Sequence, residues 1–331
     1  MPSDFDQYAP RQHHRSTASL EGNPDWTETA ARSHPDLSQP AAPPRRRTNF
    51  RSLNFLSFEN RSVSKLAPLY FGLFVACQLA LLFVAIRLLF PGVWSQQVSA
   101  GVGPIVATFL ACSLVMCFGE YLFHRYLLHL ETVKFLRSLC VSHRTHHKLT
   151  SIRFDPSGTV KSLYPITDHE HDDQSTFPPW ALIPFFAFFT PFFGAAAFSF
   201  PSFPILISGY TSIAVAHFLY ETMHAFHHEP YESFWEPRLA RRWSGPAWRF
   251  MYEFHLAHHA NYRCNQNVAG FFGIPLADMV FGTYKRPDPL LIDGARATSA
   301  AARALGPEPR WPISALDRAA FKRRRRMVQE G

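Results

Sequence analysis

The chain has 331 residues, of which 47% are hydrophobic and 15% aromatic, and it carries a formal net charge of +8. Its mean hydropathy is close to zero, an average over a very apolar middle and very polar ends. Five scattered cysteines (Cys77, Cys112, Cys117, Cys140 and Cys264) neither frame a disulfide scaffold nor make a zinc spacing, and basic runs without a recognition module argue against nucleic acid.

Residues 1–60 are rich in Pro, Ser and Arg and lack apolar periodicity. They cannot bury enough surface to offset ordering, so a disordered tail is expected, with no signal-peptide core and no role for His13, His14 or His34. Leu66–Phe90 then runs uncharged from Lys65 to Arg87, and Val98–Phe118 is uncharged throughout. A bilayer core takes about 20 apolar residues to cross, so both read as transmembrane helices, joined by a turn at Pro91-Gly92. Trp180–Phe200 and Phe203–Tyr220 form a second such hairpin around Pro201-Ser202. The expected fold is all-α: four spans in two hairpins, carrying a histidine-rich cap.

Lys and Arg flank the hairpins and are nearly absent from their short links. By the positive-inside rule both termini and the cap face the cytoplasm. The run DHEHDD at 168–173, with His169 and His171, is flanked by turn-like prolines and is expected to be a solvated loop.

Four histidine pieces follow the spans: HRYLLH at 124–129, HRTHH at 143–147, HAFHH at 224–228 and HLAHH at 255–259. Three share the spacing His-x-x-His-His, which on a helix places three imidazoles on one face, each piece able to aim them at one point. His124 and His129 are about 140° apart on an ideal helix, so that helix ends or distorts, or the two serve different metals. Imidazole suits iron, copper, zinc and nickel rather than calcium or magnesium. So many imidazoles exceed what one ion takes, and two metals are the economical reading.

Polar groups placed against a membrane mark function, and a site beside acyl chains has lipid as its natural substrate. Unactivated C–H bonds are open to redox-active iron with O2, and the chain has no G-x-S-x-G nucleophile motif. Zinc on the same ligands would suggest hydrolysis; ligand type alone does not separate the two.

These four pieces, in this order and around two apolar hairpins, resemble the fatty acid hydroxylase/sterol desaturase superfamily of membrane-bound di-iron oxygenases. The resemblance covers about residues 66–286, with the domain read as 61–286 and a basic tail at 287–331. It is nearest to fatty acid 2-hydroxylases, through His-x-x-x-x-His, a box followed by Lys148, and Phe177-Pro178-Pro179. It implies two iron ions held by His124, His129, His143, His146, His147, His224, His228, His255, His258 and His259. His227 is a ligand in the triplet reading and a support in the His-x-x-x-His reading. His217 is read as a buried support, while Glu120, Glu221 and Asp278 are candidates to orient imidazole N–H groups. Glu221 stands where Asp is commoner, and Phe254 where a further His is found. Nothing matches a fused haem carrier, so the resemblance implies O2 as co-substrate, a lipid substrate and a separate electron-donor protein. The address is the endoplasmic reticulum in a eukaryote and the cytoplasmic membrane in a bacterium. Hydroxylation is preferred, with desaturation as the alternative on the same site; a non-catalytic metal-binding or transport protein is the alternative of another class.

Overall fold

The structure, a computed structural model, describes residues 67–154, 160–166, 177, 179–285 and 309–329. The chain divides after Arg51, and every described residue belongs to the second unit, Ser52–Gly331. Residues 1–60 and the 168–173 run, for which a disordered tail and a loop are expected, lie outside the described residues.

Three helices among the described residues are long and apolar enough to cross a membrane. They are α1 (Ala67–Leu89), α3 (Val102–Phe123, extended by a π turn to Leu128) and α5 (Leu182–Ser199). Their outward side chains are bare: Leu81 is 69% exposed, Val115 61% and Phe188 64%. An apolar coat on this scale suits lipid and is costly in water.

The fourth expected span falls within α6 (Ile205–His227), a helix of another kind. α1, α3 and α5 pack around it, burying Ser208, Ser212, Ile213, Ala214 and His217. Its polar side chains are satisfied inside the bundle: the Ser208 hydroxyl donates to the Ile105 carbonyl at 2.9 Å, and Tyr210 meets Thr190 at 2.8 Å. Gly209 admits the ring of Phe193, which a Cβ would meet at 2.6 Å. A central helix of this kind trades hydropathy for packing, which is why it does not stand with the three apolar ones.

The first link is more than a turn. Pro91, tolerated where a helix start has no N–H to satisfy, opens α2 (Pro91–Ser99). Its buried Gln97 donates to the Phe203 carbonyl at 3.1 Å and accepts from the Leu206 N–H at 2.8 Å, tying the link to the start of α6. The second span accordingly begins at Val102 and continues to Leu128, past the expected end at Phe118.

Beyond the spans lie α4 (Arg137–Leu149), α7 (Glu236–Leu239), α8 (Gly245–Ala260), α9 (Leu276–Phe281) and α10 (Ile313–Gln329). The described residues are mostly helical, as expected, with one addition: a short antiparallel hairpin, β1 (Ile152–Phe154) with β2 (Val160–Ser162), in register Ile152↔Ser162. Tyr164, Trp235, Tyr252 and Leu256 form the apolar core of this region. Of the basic segment 287–331, α10 docks on the domain: Ile313 is fully buried with Cys117, Tyr121 and Ala277. Asp317 accepts from Arg125 Nε at 2.9 Å and Nη2 at 2.6 Å, and from the Tyr126 hydroxyl at 2.8 Å.

Candidate metal centre

The ten histidines converge as two groups of five. One holds His124, His129, His143, His147 and His258; the other holds His146, His224, His228, His255 and His259. Within each group one nitrogen per ring lies within 4.8 Å of all the others, and each group can hold a metal ion.

The expectation that each His-x-x-His-His piece serves one point is corrected. His143 and His147 enter the first group and His146 the second, while His255 and His259 enter the second and His258 the first. A residue four along a helix is turned about 40° one way and a residue three along about 60° the other, so the two diverge by about 100°. α4 and α8 therefore sit astride two centres, with i,i+4 pairs sharing one. The His124–His129 problem is solved by distortion. A π turn over His124–Leu128, closed by the His129 N–H on the His124 carbonyl at 3.1 Å, winds five residues into one turn. The two rings stack 4.9 Å apart and 26° from parallel, in one group.

Nitrogen contacts show what the groups are built for. His143 Nε2 faces the Nε2 atoms of His124 at 2.9 Å, His129 at 3.2 Å and His147 at 3.2 Å. In the second group His255 Nε2 faces those of His228 at 3.3 Å and His259 at 3.2 Å. One nitrogen with at most one proton cannot make three hydrogen bonds of this kind. Ligands at right angles about a metal bound at about 2.1 Å lie about 3.0 Å apart, so the spacing is that of donors around a cation.

The other face of the rings fixes the tautomer. His228 Nδ1 meets the Tyr164 carbonyl at 2.7 Å, His258 Nδ1 the Cys264 carbonyl at 2.8 Å, and His124 Nδ1 the Gln266 carbonyl. A carbonyl only accepts, so these nitrogens carry the protons. His259 Nδ1 lies 3.0 Å from Thr150 Oγ1, whose own proton goes to the His146 carbonyl at 2.7 Å, so His259 donates as well. All four present an Nε2 lone pair inward, the form a metal needs. His146 is fully buried with neither ring nitrogen hydrogen-bonded. A buried polar atom without a partner costs about 1–3 kcal/mol, and a cation in the second group removes that cost. The donor set fits a first-row transition metal.

Burial first, and mutual repulsion after it, holds His129, His143, His146, His147, His255 and His259 well below their ordinary pKa of 6.5. They stay neutral, as ligands must.

No family model, curated protein or solved structure matches this chain.

The remaining residues singled out in the sequence fall outside both groups. His227 stacks on His255 with centroids 4.6 Å apart and lies parallel to Trp235, supporting a ring of the second group from behind. His217 sits among Phe71 and Phe185 within the bundle. Glu120 is not turned to an imidazole: its carboxylate accepts the Ala269 and Gly270 N–H groups at 2.9 Å and that of Val268, holding the loop after α8. Glu221 accepts from the Phe177 N–H at 3.3 Å. Asp278 acts through one peptide: it accepts the Gln266 N–H at 2.9 Å and the Asn267 N–H at 2.8 Å, and the Gln266 carbonyl takes the His124 proton.

Sequence reasoning missed Thr150 and the carbonyls of Tyr164, Cys264 and Gln266. Carbonyls leave no trace in a sequence. The run Asn265-Gln266-Asn267, three uncharged amides that prove fully buried, was the available signal.

Proposed function

We propose that this chain is an integral membrane, non-haem two-iron oxygenase that hydroxylates a lipid, using O2 and electrons from a separate protein. The observation that carries it is the pair of five-imidazole groups gathered where α3, a helix long and apolar enough to cross a membrane, and the central helix α6 end. α6 is the fourth span, and the Lys and Arg distribution puts the termini and both groups on the cytosolic side.

Iron, when bound by the two groups, supplies the one-electron and O2 chemistry that opens an unactivated C–H bond. Balanced, the reaction takes R–H, O2, two electrons and two protons to R–OH and water. The chain's own contribution is to keep the imidazoles neutral, hold His124, His228, His258 and His259 each in one tautomer, and exclude water. Tyr220, stacked on His224 at 5.8 Å and packed with Val268, Ala269 and Phe177, sets an apolar cluster against the second group. Five donors per group also fall short of the six a first-row ion accepts.

A transport protein calls for ligands strung along a span, whereas His217 stands alone among rings. The deciding experiment is expression followed by mass analysis of acyl and sterol lipids. The expected result is an oxygenated product lost in His146→Ala and in His258→Ala, one variant from each group. An unsaturated product with the same dependence selects the desaturase alternative. No dependent product in any lipid pool, with iron loaded, overturns the proposal.

A further inference from the structure

A buried two-metal site takes electrons through protein, and the structure points to where they enter. Nine of the ten grouped imidazoles are buried; His147 is half-buried. His129 stacks on Tyr262, rings 5.2 Å apart and 19° from parallel, and Tyr262 is 44% exposed. His129 contacts His147 at 4.7 Å, and His147 stacks on His259 of the second group at 4.1 Å and 14°. A line of ring contacts thus runs from the surface through the first group into the second.

The surface around that line is cationic. α4 has no acidic residue, and its Arg144 and Lys148 lie on the outer side. Arg144 and the Arg324 guanidinium of α10 both act electrostatically on the Cys140 thiol of α4. Arg125 joins α10 to the segment beside Tyr262: it pairs with Asp317 of α10 and donates to the carbonyl of Arg263 at 3.0 Å. Asp317, the one acid in α10, is consumed in that buried pair, while Arg318, Lys322, Arg323 and Arg326 are exposed.

We propose that this face, Tyr262 framed by Arg144, Lys148 and the exposed basic side chains of α10, docks a small acidic one-electron carrier protein, with Tyr262 the point of electron entry. It rests on the oxygenase reading. Two carrier molecules, each oxidised by one electron, supply the pair that with two protons reduces one atom of O2 to water as the other enters the C–H bond. Electron-transfer encounters are small and electrostatically steered, which a predominantly basic surface around one aromatic ring provides; Glu131, the acid that also acts on the Cys140 thiol, is paired with Arg137 at 3.2 Å. A bilayer fits less well. A helix lying on lipid turns an apolar stripe outward. α10 turns Ile313 into the protein and puts Arg318 and Lys322 outside; its exposed large apolar side chains are Leu316 and, two residues ahead of its first turn, Trp311, too few for a continuous stripe.

The test uses the full-length, metal-loaded protein in phosphatidylcholine nanodiscs, with a reduced plant-type [2Fe–2S] ferredoxin as the acidic probe. The expected binding weakens as salt rises, and by about tenfold or more in the triple variant Lys322→Glu, Arg323→Glu, Arg326→Glu. Tyr262→Leu should bind as the parent protein does yet accept electrons about tenfold more slowly, and Tyr262→Trp should restore the rate. Ferredoxin binding unaffected by the charge reversal sinks the proposal. So does a reversal that abolishes only adhesion to phosphatidylserine vesicles, or a Tyr262→Leu protein reduced at the parent rate. Salt-dependent docking and Tyr262-dependent reduction with no lipid oxygenated leave this surface standing and remove the oxygenase reading; a product formed with dithionite while ferredoxin ignores the reversal does the opposite.

Discussion

Thr150→Val isolates one hydrogen bond of the second histidine group. Thr150 is fully buried at the end of α4, and its hydroxyl donates to the His146 carbonyl while accepting from His259 Nδ1. Valine keeps the shape and removes the acceptor. The His146 carbonyl keeps its backbone bond from the Thr150 N–H at 2.9 Å, so the helix end survives. What is lost is the partner of the His259 proton, about 1–3 kcal/mol for a buried donor left without one. Because His259 is then free to flip its tautomer away from the metal, that cost falls on binding, an affinity loss of about 10–100-fold at the second group. Chelator competition on protein carrying two metals per chain reads it directly: one metal should leave early and the other at the parent concentration. Thr150→Ser, which retains the hydroxyl, should release both as the parent does. Two unchanged release steps in Thr150→Val, or two equally weakened ones, refute the assignment of Thr150 to one group.

His227→Phe should retain two metals per chain by elemental analysis, since it preserves the stack on His255, whereas His255→Phe should lose the second. Asp317→Ala leaves the Arg125 charge buried without its partner and should cost about 3–5 kcal/mol of stability, read by thermal unfolding in detergent; Arg125→Met with Asp317→Leu should recover most of it. Metal-free protein should lose stability as pH falls. Burial keeps the grouped imidazoles outside the spans neutral in the fold, while the unfolded chain's histidines protonate near their ordinary 6.5. Below that value the unfolded state binds more protons, so melting temperatures should fall from about pH 6.5 downward and stay level above it. A profile flat through that range would show that these rings are solvated.

The sequence made the membership of the site legible and its partition illegible. Eleven imidazoles stood out because their spacings recur beside apolar runs; spacing left His227 open, the resemblance implied the other ten, and those ten are the ones that lie in the two groups. Which ring joins which group depends on how α4 and α8 are rotated between the centres, a tertiary fact that no local spacing contains. The π turn at His124–Leu128 was visible only as a misfit: a five-residue separation that an ideal helix cannot use. Apolar length identified α1, α3 and α5, but α6 is polar enough to be set apart from them, because packing inside the bundle satisfies its serines and Tyr210. The docking of α10 was hidden behind its charge. Arg125 and Asp317 lie 192 residues apart, and nothing local to either marks the pair.

The partition has a mechanical consequence for the site as a whole. A helix that aims i and i+4 at one centre turns i+3 away from it, and on α4 and α8 the i+3 ring meets the other centre, so each contacts both groups and neither group can shift without the other. His147 and His259, stacked at 4.1 Å yet assigned to different groups, are the narrowest point of that coupling. The supports divide the same way. Gln266 and Cys264 carbonyls orient the first group from the loop after α8, whereas Thr150 and the Tyr164 carbonyl orient the second from the segment after α4. Each helix thus donates ligands to both centres, but the segment following it steadies only one. Two ions at fixed separation with independent supports allow one centre's affinity to be changed while the spacing of the pair is held, which is the property the Thr150 variant exploits.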